Sequence, residues 1–215
     1  MKKYILLLCC LAAAWSCKLE GTYTQSNVQE FVTLSEGLLV NDYGTQFHIS
    51  QVASDQVPVP NVEGKRYFLL FDILNANLDI LLKNSTDVTT LPAAPAGEIT
   101  PAFHDPVSVA FYNISPAYLN LGITYYRLKG SNYAHRFVVE YKKEQSTNYI
   151  SFILYHDGDD ENPASVDDEN SLEQASQLLS IPLKQADWTP EGVNLTFHVL
   201  QKNEEGTYEI EQVTY

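Results

Sequence analysis

Residues 193–199 read Val-Asn-Leu-Thr-Phe-His-Val, an alternation of apolar and polar side chains that decides the fold class. Because successive side chains of a β-strand point to opposite faces, this period of two residues predicts a strand with one buried face. Polar residues at 202–206 then supply a turn, and a second β-type run returns over 207–214. The end of the chain is therefore predicted to form a β-hairpin.

The same alternation extends back through the second half of the chain. Leu119, Leu121 and Ile123 fall on one face of another predicted strand. The β-type runs that precede the hairpin lie at 107–114, 118–128, 133–142 and 148–156. One short segment, 171–179, is predicted to be helical, and an edge segment follows it at 181–183. About seven strands over residues 107–215 predict an immunoglobulin-like β-sandwich.

The first half of the chain contains shorter β-type runs separated by turn residues. These runs lie at 31–40, 45–52, 65–74, 78–83 and 86–91. They leave no room for crossover helices, so residues 31–91 are predicted to form a small OB-like barrel. The segment 92–106 is rich in proline and alanine, which is typical of a linker. The predicted class is all-β, with the OB-like barrel followed by the β-sandwich.

The beginning of the chain has the composition of a secretory signal peptide. Two lysines precede an apolar run of about a dozen residues, which is too short to span a bilayer. Ala14-Trp15-Ser16-Cys17 resembles the lipobox of bacterial lipoproteins. Cleavage before Cys17 would leave that single thiol, and attachment of a diacylglyceryl group would block it. We therefore predict a signal peptide at 1–16, lipidation of Cys17 and a tether at 17–30; an ordinary signal peptide with an incidental Cys17 is the alternative.

The anchor implies a location in the cell envelope. No aspartate stands next to Cys17, which favours the outer membrane, while the face of that membrane stays open. Lysine and arginine number 13 against 27 acidic residues, giving a formal net charge of −14. Because binding to a nucleic-acid backbone depends on cations, this balance excludes a nucleic-acid partner even for an OB-like barrel.

Several motifs, taken in their order, resemble the NigD-like lipoproteins of Bacteroides-type bacteria. They are NDYGT at 41–45, GKRYF at 64–68, YLNL at 118–121, FILYHD at 152–157 with Asp160 and Pro163, NLTFHV at 194–199 and TYEI at 207–210. The resemblance implies an OB-like domain followed by a β-sandwich and supplies no catalytic residues. The family is named after a bacteriocin gene cluster, so it also implies, as an alternative, a role in bacteriocin immunity or envelope protection.

Residues that could carry chemistry are dispersed in the sequence. The histidines, at 48, 104, 135, 156 and 198, lie singly on separate segments, and no motif of a known hydrolase, zinc enzyme or nucleotide-binding protein occurs. With Cys17 acylated, no cysteine nucleophile is left. We therefore predict that the protein is not an enzyme and needs no cofactor; a cryptic hydrolase is the third alternative.

An acidic loop raises the question of a calcium site. Asp157, Asp159 and Glu161 occupy positions one, three and five of an EF-hand-like spacing, and Asp168 occupies position twelve. Asn162 stands where the EF-hand turn requires glycine, so the loop is not an EF-hand. A solvated surface loop is the favoured interpretation, and a looser Ca²⁺ loop with these four carboxylates as ligands is the alternative.

Tyrosines on the polar face of the 118–128 strand indicate a binding surface. Tyr118 and Tyr126 share that face with Asn120 and Thr124. Exposed tyrosines beside polar groups stack on sugar rings or pack against proteins, although tyrosine is also a common strand residue. The sequence thus predicts a membrane-anchored envelope lipoprotein that binds a protein or a glycan without catalysis.

Overall fold

The computed structural model describes residues 24–98, 104–144, 148–184, 191–202 and 208–214. Over these residues the chain is almost entirely β-structure, which confirms the predicted class. The first half contains β1 (Gln25–Ser35), β2 (Leu38–Asn41), β3 (Gln46–Val52), β4 (Arg66–Ile73), β5 (Asp79–Thr90) and β6 (Ala93–Pro95). The second half contains β7 (Ser108–Ile114), β8 (Tyr118–Leu128), β9 (Arg136–Glu144), β10 (Tyr149–Asp157), β11 (Leu172–Pro182), β12 (Gly192–Lys202) and β13 (Tyr208–Thr214).

The first five strands form a ring. β1 pairs with β2 and β4, β2 pairs with β3, β4 pairs with β5, and a parallel contact between β3 and β5 closes the circle. Apolar side chains fill its interior, among them Val32, Leu69, Phe71 and Ile80, all with almost no exposed surface. The ring is not a free-standing barrel, because the far end of β5 continues into a larger sheet.

Two details of the ring differ from the predicted strand boundaries. The run 31–40 is divided by a tight turn in which both Glu36 and Gly37 have positive φ, the geometry of a two-residue hairpin. The runs 78–83 and 86–91 are one strand, β5, with an irregularity in its pairing between Leu70 and Phe71 of β4. Such an extra residue bends a strand, which lets β5 serve both the ring and the sheet beyond it.

The second half is a sandwich of two sheets. One layer consists of β7, β8 and β11, and it is hydrogen-bonded to the ring through β11 and β5; the other has the order β13-β12-β10-β9-β6. Leu121, Ile150, Phe152 and Phe197 lie between the layers and are almost completely buried. The alternating patterns therefore identified the core correctly, and β12 and β13 form the predicted terminal hairpin. The turn of that hairpin lies outside the described residues.

The predicted helix at 171–179 is wrong, because residues 172–179 belong to strand β11 and Ser171 ends a single 3₁₀ turn (Glu169–Ser171). β11 pairs antiparallel with β8 along its whole length and parallel with β5 at Leu179 and Ser180. The backbone groups of the segment are satisfied by these two neighbours, so pairing in the folded protein overrides a weak helical pattern.

Structure also occupies segments that the sequence assigned to a linker and a tether. β6 lies within the predicted linker 92–106 and pairs parallel with β9. β1 begins at Gln25, inside the predicted tether 17–30. The predicted signal peptide and Cys17 lie outside the described residues. Within the described part of the chain, no helix has the length and apolarity needed to cross a membrane.

Candidate functional site

The predicted tyrosine surface is partly covered by the N-terminal ring. Asn120, which the alternation placed on an outward face, has no exposed surface, because the ring packs over this part of β8. Thr124 and Tyr126 are half-buried farther along the strand. The structure therefore separates the four residues: Tyr118 and Asn120 join an internal cluster, and Thr124 and Tyr126 do not.

That internal cluster is centred on a buried ion pair between Arg66 and Asp42. The guanidinium donates from Nη1 to Asp42 Oδ1 at 2.8 Å and from Nη2 to Asp42 Oδ2 at 3.1 Å. The two side chains are 1% and 5% exposed. Asn120 completes a triangle, because its Oδ1 accepts from Arg66 at 3.1 Å and its Nδ2 donates to Asp42 at 2.9 Å. Such bidentate pairing compensates both charges where water is excluded.

The remaining N–H donors of Arg66 are also hydrogen-bonded, and one face of its guanidinium packs against an aromatic ring. Nε donates to Ser180 at 3.0 Å, and Nη1 donates to Thr33 at 3.1 Å. The ring of Tyr118 lies 3.6 Å from the guanidinium carbon, a cation–π contact. Three of the motifs that carry the family resemblance thus meet here. The motif at 41–45 supplies Asp42, the motif at 64–68 supplies Arg66, and the motif at 118–121 supplies Tyr118 and Asn120. These three motifs therefore supply contacts that join the ring to the sandwich.

A second cluster corrects the expectation that the histidines lie singly. β9 and β10 are neighbouring strands, so His135, which precedes β9, meets His156 near the end of β10. Their rings are linked from Nδ1 of His135 to Nε2 of His156 at 3.0 Å. Nε2 of His135 lies 3.3 Å from Glu161, and Phe137 stacks on His156 at 4.7 Å between ring centroids. A further pair, His104 and His198, has ring centroids 4.7 Å apart.

The environment of His156 keeps its imidazole neutral. Burial, followed by repulsion from His135, lowers the pKa of His156 to about 4, and the carboxylates of Asp105 and Asp157 offset this only in part. Among the described residues, Nδ1 of His156 has no hydrogen-bond partner of standard geometry. The pKa of His198 is also lowered, first by burial and then by His104.

The acidic-loop carboxylates are bound to separate partners. Tyr133 donates to Asp157 at 2.7 Å, and Arg136 forms an ion pair with the same carboxylate. Burial acts to raise the pKa of Asp157, but these hydrogen bonds lower it overall. Because a protein hydrogen bond occupies each oxygen, Asp157 is held as a structural anion at the end of β10.

The other three predicted calcium ligands point to different places. Glu161 accepts from the Ser131 hydroxyl at 2.5 Å and from the Leu128 amide at 2.8 Å, while Asp168 accepts from the Asn170 amide at 3.0 Å. Asp159 is exposed. Within the described residues, no group of three or more His, Cys, Asp or Glu side chains is placed to hold a metal ion.

The surface best suited to binding is the edge strand β7. Phe111, Tyr112 and Ile114 are 42%, 62% and 47% exposed, although they lie consecutively or nearly so on one strand. Grooves lie on both sides of this strand. The first, of about 430 Å³, opens between β7 and β12 and is lined by apolar side chains that include Tyr112, Ile114 and Leu195.

The second groove, of about 500 Å³, lies between β7 and the ring. Its walls are aromatic and are formed by Phe31, Phe68, Phe111 and Tyr43. Phe31 packs between the other two phenylalanines, with ring centroids 4.8 Å from Phe68 and 6.5 Å from Phe111. Glu30 also lines this groove, which we call the aromatic cleft.

Sequence reasoning missed this surface although it predicted the strand. Residues 109–114 read VAFYNI, without a charge or a proline. Edge strands normally carry such protecting residues, so their absence from a strand at a sheet edge is the signal that was available. The position of β7 at the edge, however, follows from strand pairing that only the structure gives.

No model of a known protein family matches the chain, and no curated protein matches it. Solved structures with the same fold do match. A NigD-like immunity protein from Bacteroides caccae has a TM-score of 0.58 at 21% identity, over 90% of this chain and 98% of that one. A DUF1344 protein of unknown function from Bacteroides vulgatus has a TM-score of 0.59 at 15% identity, over 90% and 91% of the two chains.

A candidate lipoprotein from Bacteroides fragilis is a third match, with a TM-score of 0.55 at 13% identity over 88% of this chain and 97% of that one. At these identities the comparisons establish the fold. They confirm the predicted resemblance to NigD-like proteins as a likeness of fold.

Proposed function

We propose that this protein is a lipid-anchored protein of the outer membrane that binds a partner protein through strand β7, without catalysis. The observation that carries the proposal is an apolar sheet edge left open to solvent. An open edge presents unpaired backbone N–H and C=O groups, to which an extended segment of another protein can add as a further strand.

The other sheet edges are protected, which makes β7 distinctive among the described strands. β13 carries Glu209 and Glu211, and β6 is three residues long and contains Pro95. β3 is closed against β5 in the ring. β7 has an irregularity in its pairing between Val109 and Phe111, and beyond it residues 111–114 are regularly paired with β8 and carry the exposed apolar side chains. Natural proteins protect edge strands against aggregation with other chains, so an unprotected edge supports a role in functional strand addition.

The partner interface is testable with a photo-crosslinking amino acid in intact cells. With the probe at position 114, on β7, we expect a discrete protein adduct. The same probe at position 149, an exposed tyrosine at the start of β10, is the control and should give none. Tyr112→Lys, combined with the probe at 114, should abolish the adduct because a lysine on the edge opposes strand addition. Equal adducts at 114 and 149 would contradict the proposal.

The anchor is tested separately by feeding cells labelled palmitate. The wild-type protein should carry the label and sediment with membranes, whereas Cys17→Ser should be unlabelled. Two or more acyl chains anchor a protein stably to a bilayer, so release of the unsubstituted protein into buffer would refute the anchor.

A second candidate function is bacteriocin immunity. It is favoured by the shared fold with the NigD-like immunity protein from Bacteroides caccae. In that case the protein bound at β7 would be a toxin. Deletion should then increase sensitivity to a bacteriocin, and the Tyr112→Lys variant should fail to restore protection although it still reaches the membrane.

A further inference from the structure

We infer that the aromatic cleft beside β7 binds a cationic side chain, lysine or arginine, of the protein that pairs with this strand. The inference rests on the proposed function and adds the chemistry of the partner. It is drawn from three features of the cleft: its aromatic walls, the uncompensated charge of Glu30, and its position on β7.

The walls of the cleft suit a cation. Faces of aromatic rings attract positive charge through their quadrupole, more strongly where water is excluded. Four rings line one space of about 500 Å³, and two of them, from Tyr43 and Phe111, are 65% and 42% exposed. Exposed aromatic rings are accessible to an incoming side chain at little cost in conformational entropy.

Glu30 supplies a negative charge that nothing in the described structure neutralises. Asp42, which also lines the cleft, is fully compensated by Arg66. No lysine or arginine of the described residues forms an ion pair with Glu30. Its pKa is raised, first by burial and then by the charge of Asp42, against a hydrogen bond from Asn41 that acts to lower it. A cation in the cleft would relieve this cost.

The position of the cleft relates it to strand addition. Asn113 lines only the cleft, Tyr112 and Ile114 line only the apolar groove between the two layers, and Phe111 borders both. Because side chains alternate along a strand, a segment added to β7 would present alternate residues to the two grooves. The partner segment should therefore alternate apolar and basic residues. The formal charge of −14 would also attract a basic segment over longer distances.

The test uses small model compounds, so it does not require the partner. Nα-acetyl-lysine N-methylamide is titrated into protein with ¹³C-labelled phenylalanine, and the ring resonances are followed by NMR. The norleucine analogue, which has a similar shape without the charge, is the matched compound. We expect millimolar binding of the lysine compound that shifts the Phe111 and Phe68 resonances, and at least about fivefold weaker binding of the norleucine compound.

Variants locate the charge responsible. Glu30→Gln should weaken binding of the lysine compound by at least about fivefold. Glu36→Gln, an exposed glutamate on the same ring, should leave binding unchanged. Unchanged ¹³C shifts elsewhere in the spectrum would show that the Glu30→Gln variant is folded.

Three results would overturn the inference. They are equal binding of the two compounds, binding that is unchanged in Glu30→Gln, and no binding of either compound. Binding of an N-acetylglucosamine oligosaccharide in the cleft instead would show that its ligand is a glycan. None of these results affects the cross-linking test at position 114. A cross-linked partner with no lysine binding would therefore leave the proposed function standing and remove only this inference.

Discussion

The Arg66 cluster and the His156 cluster are both buried and polar, but they reach that state in opposite ways. At the junction of ring and sandwich, Arg66 and Asp42 form a bidentate ion pair, and each N–H group of the guanidinium has a hydrogen-bond acceptor. At the end of β10, His156 avoids a charge, and its Nδ1 is without a standard hydrogen bond among the described residues. The first cluster is stabilised by an ion pair, and the second by keeping its imidazole neutral.

This difference teaches what each cluster is sensitive to. A compensated ion pair fails when one partner is removed, because the other charge is then left in a medium that excludes water. A buried histidine is stable in its apolar surroundings only while the pH is high enough to keep the imidazole neutral, because burial disfavours the charged form. The two regions therefore predict different responses to mutation and to acid.

The largest effect is expected from Arg66→Met. Removal of the guanidinium leaves Asp42 buried and unpaired, so the free energy of unfolding should fall by about 3–5 kcal/mol. Urea denaturation would measure it. Arg127→Met, which removes an exposed arginine paired with Glu173, is the matched control and should cost less than about 1 kcal/mol. Equal losses in the two variants would show that the buried pair has no special role.

Acid should act on the second cluster. In the unfolded chain the pKa of His156 is near 6.5, and in the folded protein it is about 4, so between these values the unfolded state binds more protons. Stability contributed by the neutral imidazole is therefore complete above pH about 6.5 and is lost as the pH falls towards 4, by on the order of 3 kcal/mol. His198 acts in the same direction.

Thermal unfolding between pH 7 and 4 checks this prediction. His156→Gln should flatten the dependence on pH, because it removes the imidazole whose pKa is lowered by burial. A profile that keeps its slope in His156→Gln would assign the acid sensitivity to other groups.

A smaller effect is expected at Glu161, the carboxylate that orients His135. Glu161→Gln keeps the size of the side chain but weakens its acceptance of hydrogen bonds from Ser131 and the Leu128 amide. The free energy of unfolding should fall by about 1–2 kcal/mol. Glu169→Gln, at an exposed glutamate nearby, should change it by less than about 0.5 kcal/mol.

The smallest effect is expected from calcium. The predicted ligands Asp157, Glu161 and Asp168 are held by separate partners, and their carboxylates do not converge. Millimolar CaCl₂ should shift the melting temperature by less than about 1 °C, since only ligands that bind the folded state stabilise it. A rise of several degrees, reversed by a chelator, would restore the calcium interpretation.

Alternation in the sequence predicted most strands because burial of one face is a local property of each segment. It failed for β11, where the pairing that makes a strand comes from β8 and β5, more than forty residues away in sequence. It also placed Asn120 correctly on the face opposite Leu121. What covers that face, however, is Arg66 of the ring. The alternation of side chains along a strand does not indicate which other element packs on a given face.

The candidate binding surface was predictable only in part. The uncharged run 109–114 is visible in the sequence, but its place at a sheet edge depends on the order of strands. The contact of His135 with His156 depends in the same way on the register of β9 against β10, in which Phe137 lies opposite His156. Composition can indicate which side chains are available, and topology determines which of them meet.

The contact between β5 and β11 has a mechanical consequence. It consists of two register pairs, Leu179 with Thr89 and Ser180 with Thr90. If the amino terminus is fixed to a bilayer and a partner pulls on β7, part of the tension passes from ring to sandwich through this short joint. Arg66, which donates a hydrogen bond to Ser180, would strengthen the same joint. Under load in a force spectrometer, the chain should therefore yield first at this joint, and earlier still in Arg66→Met.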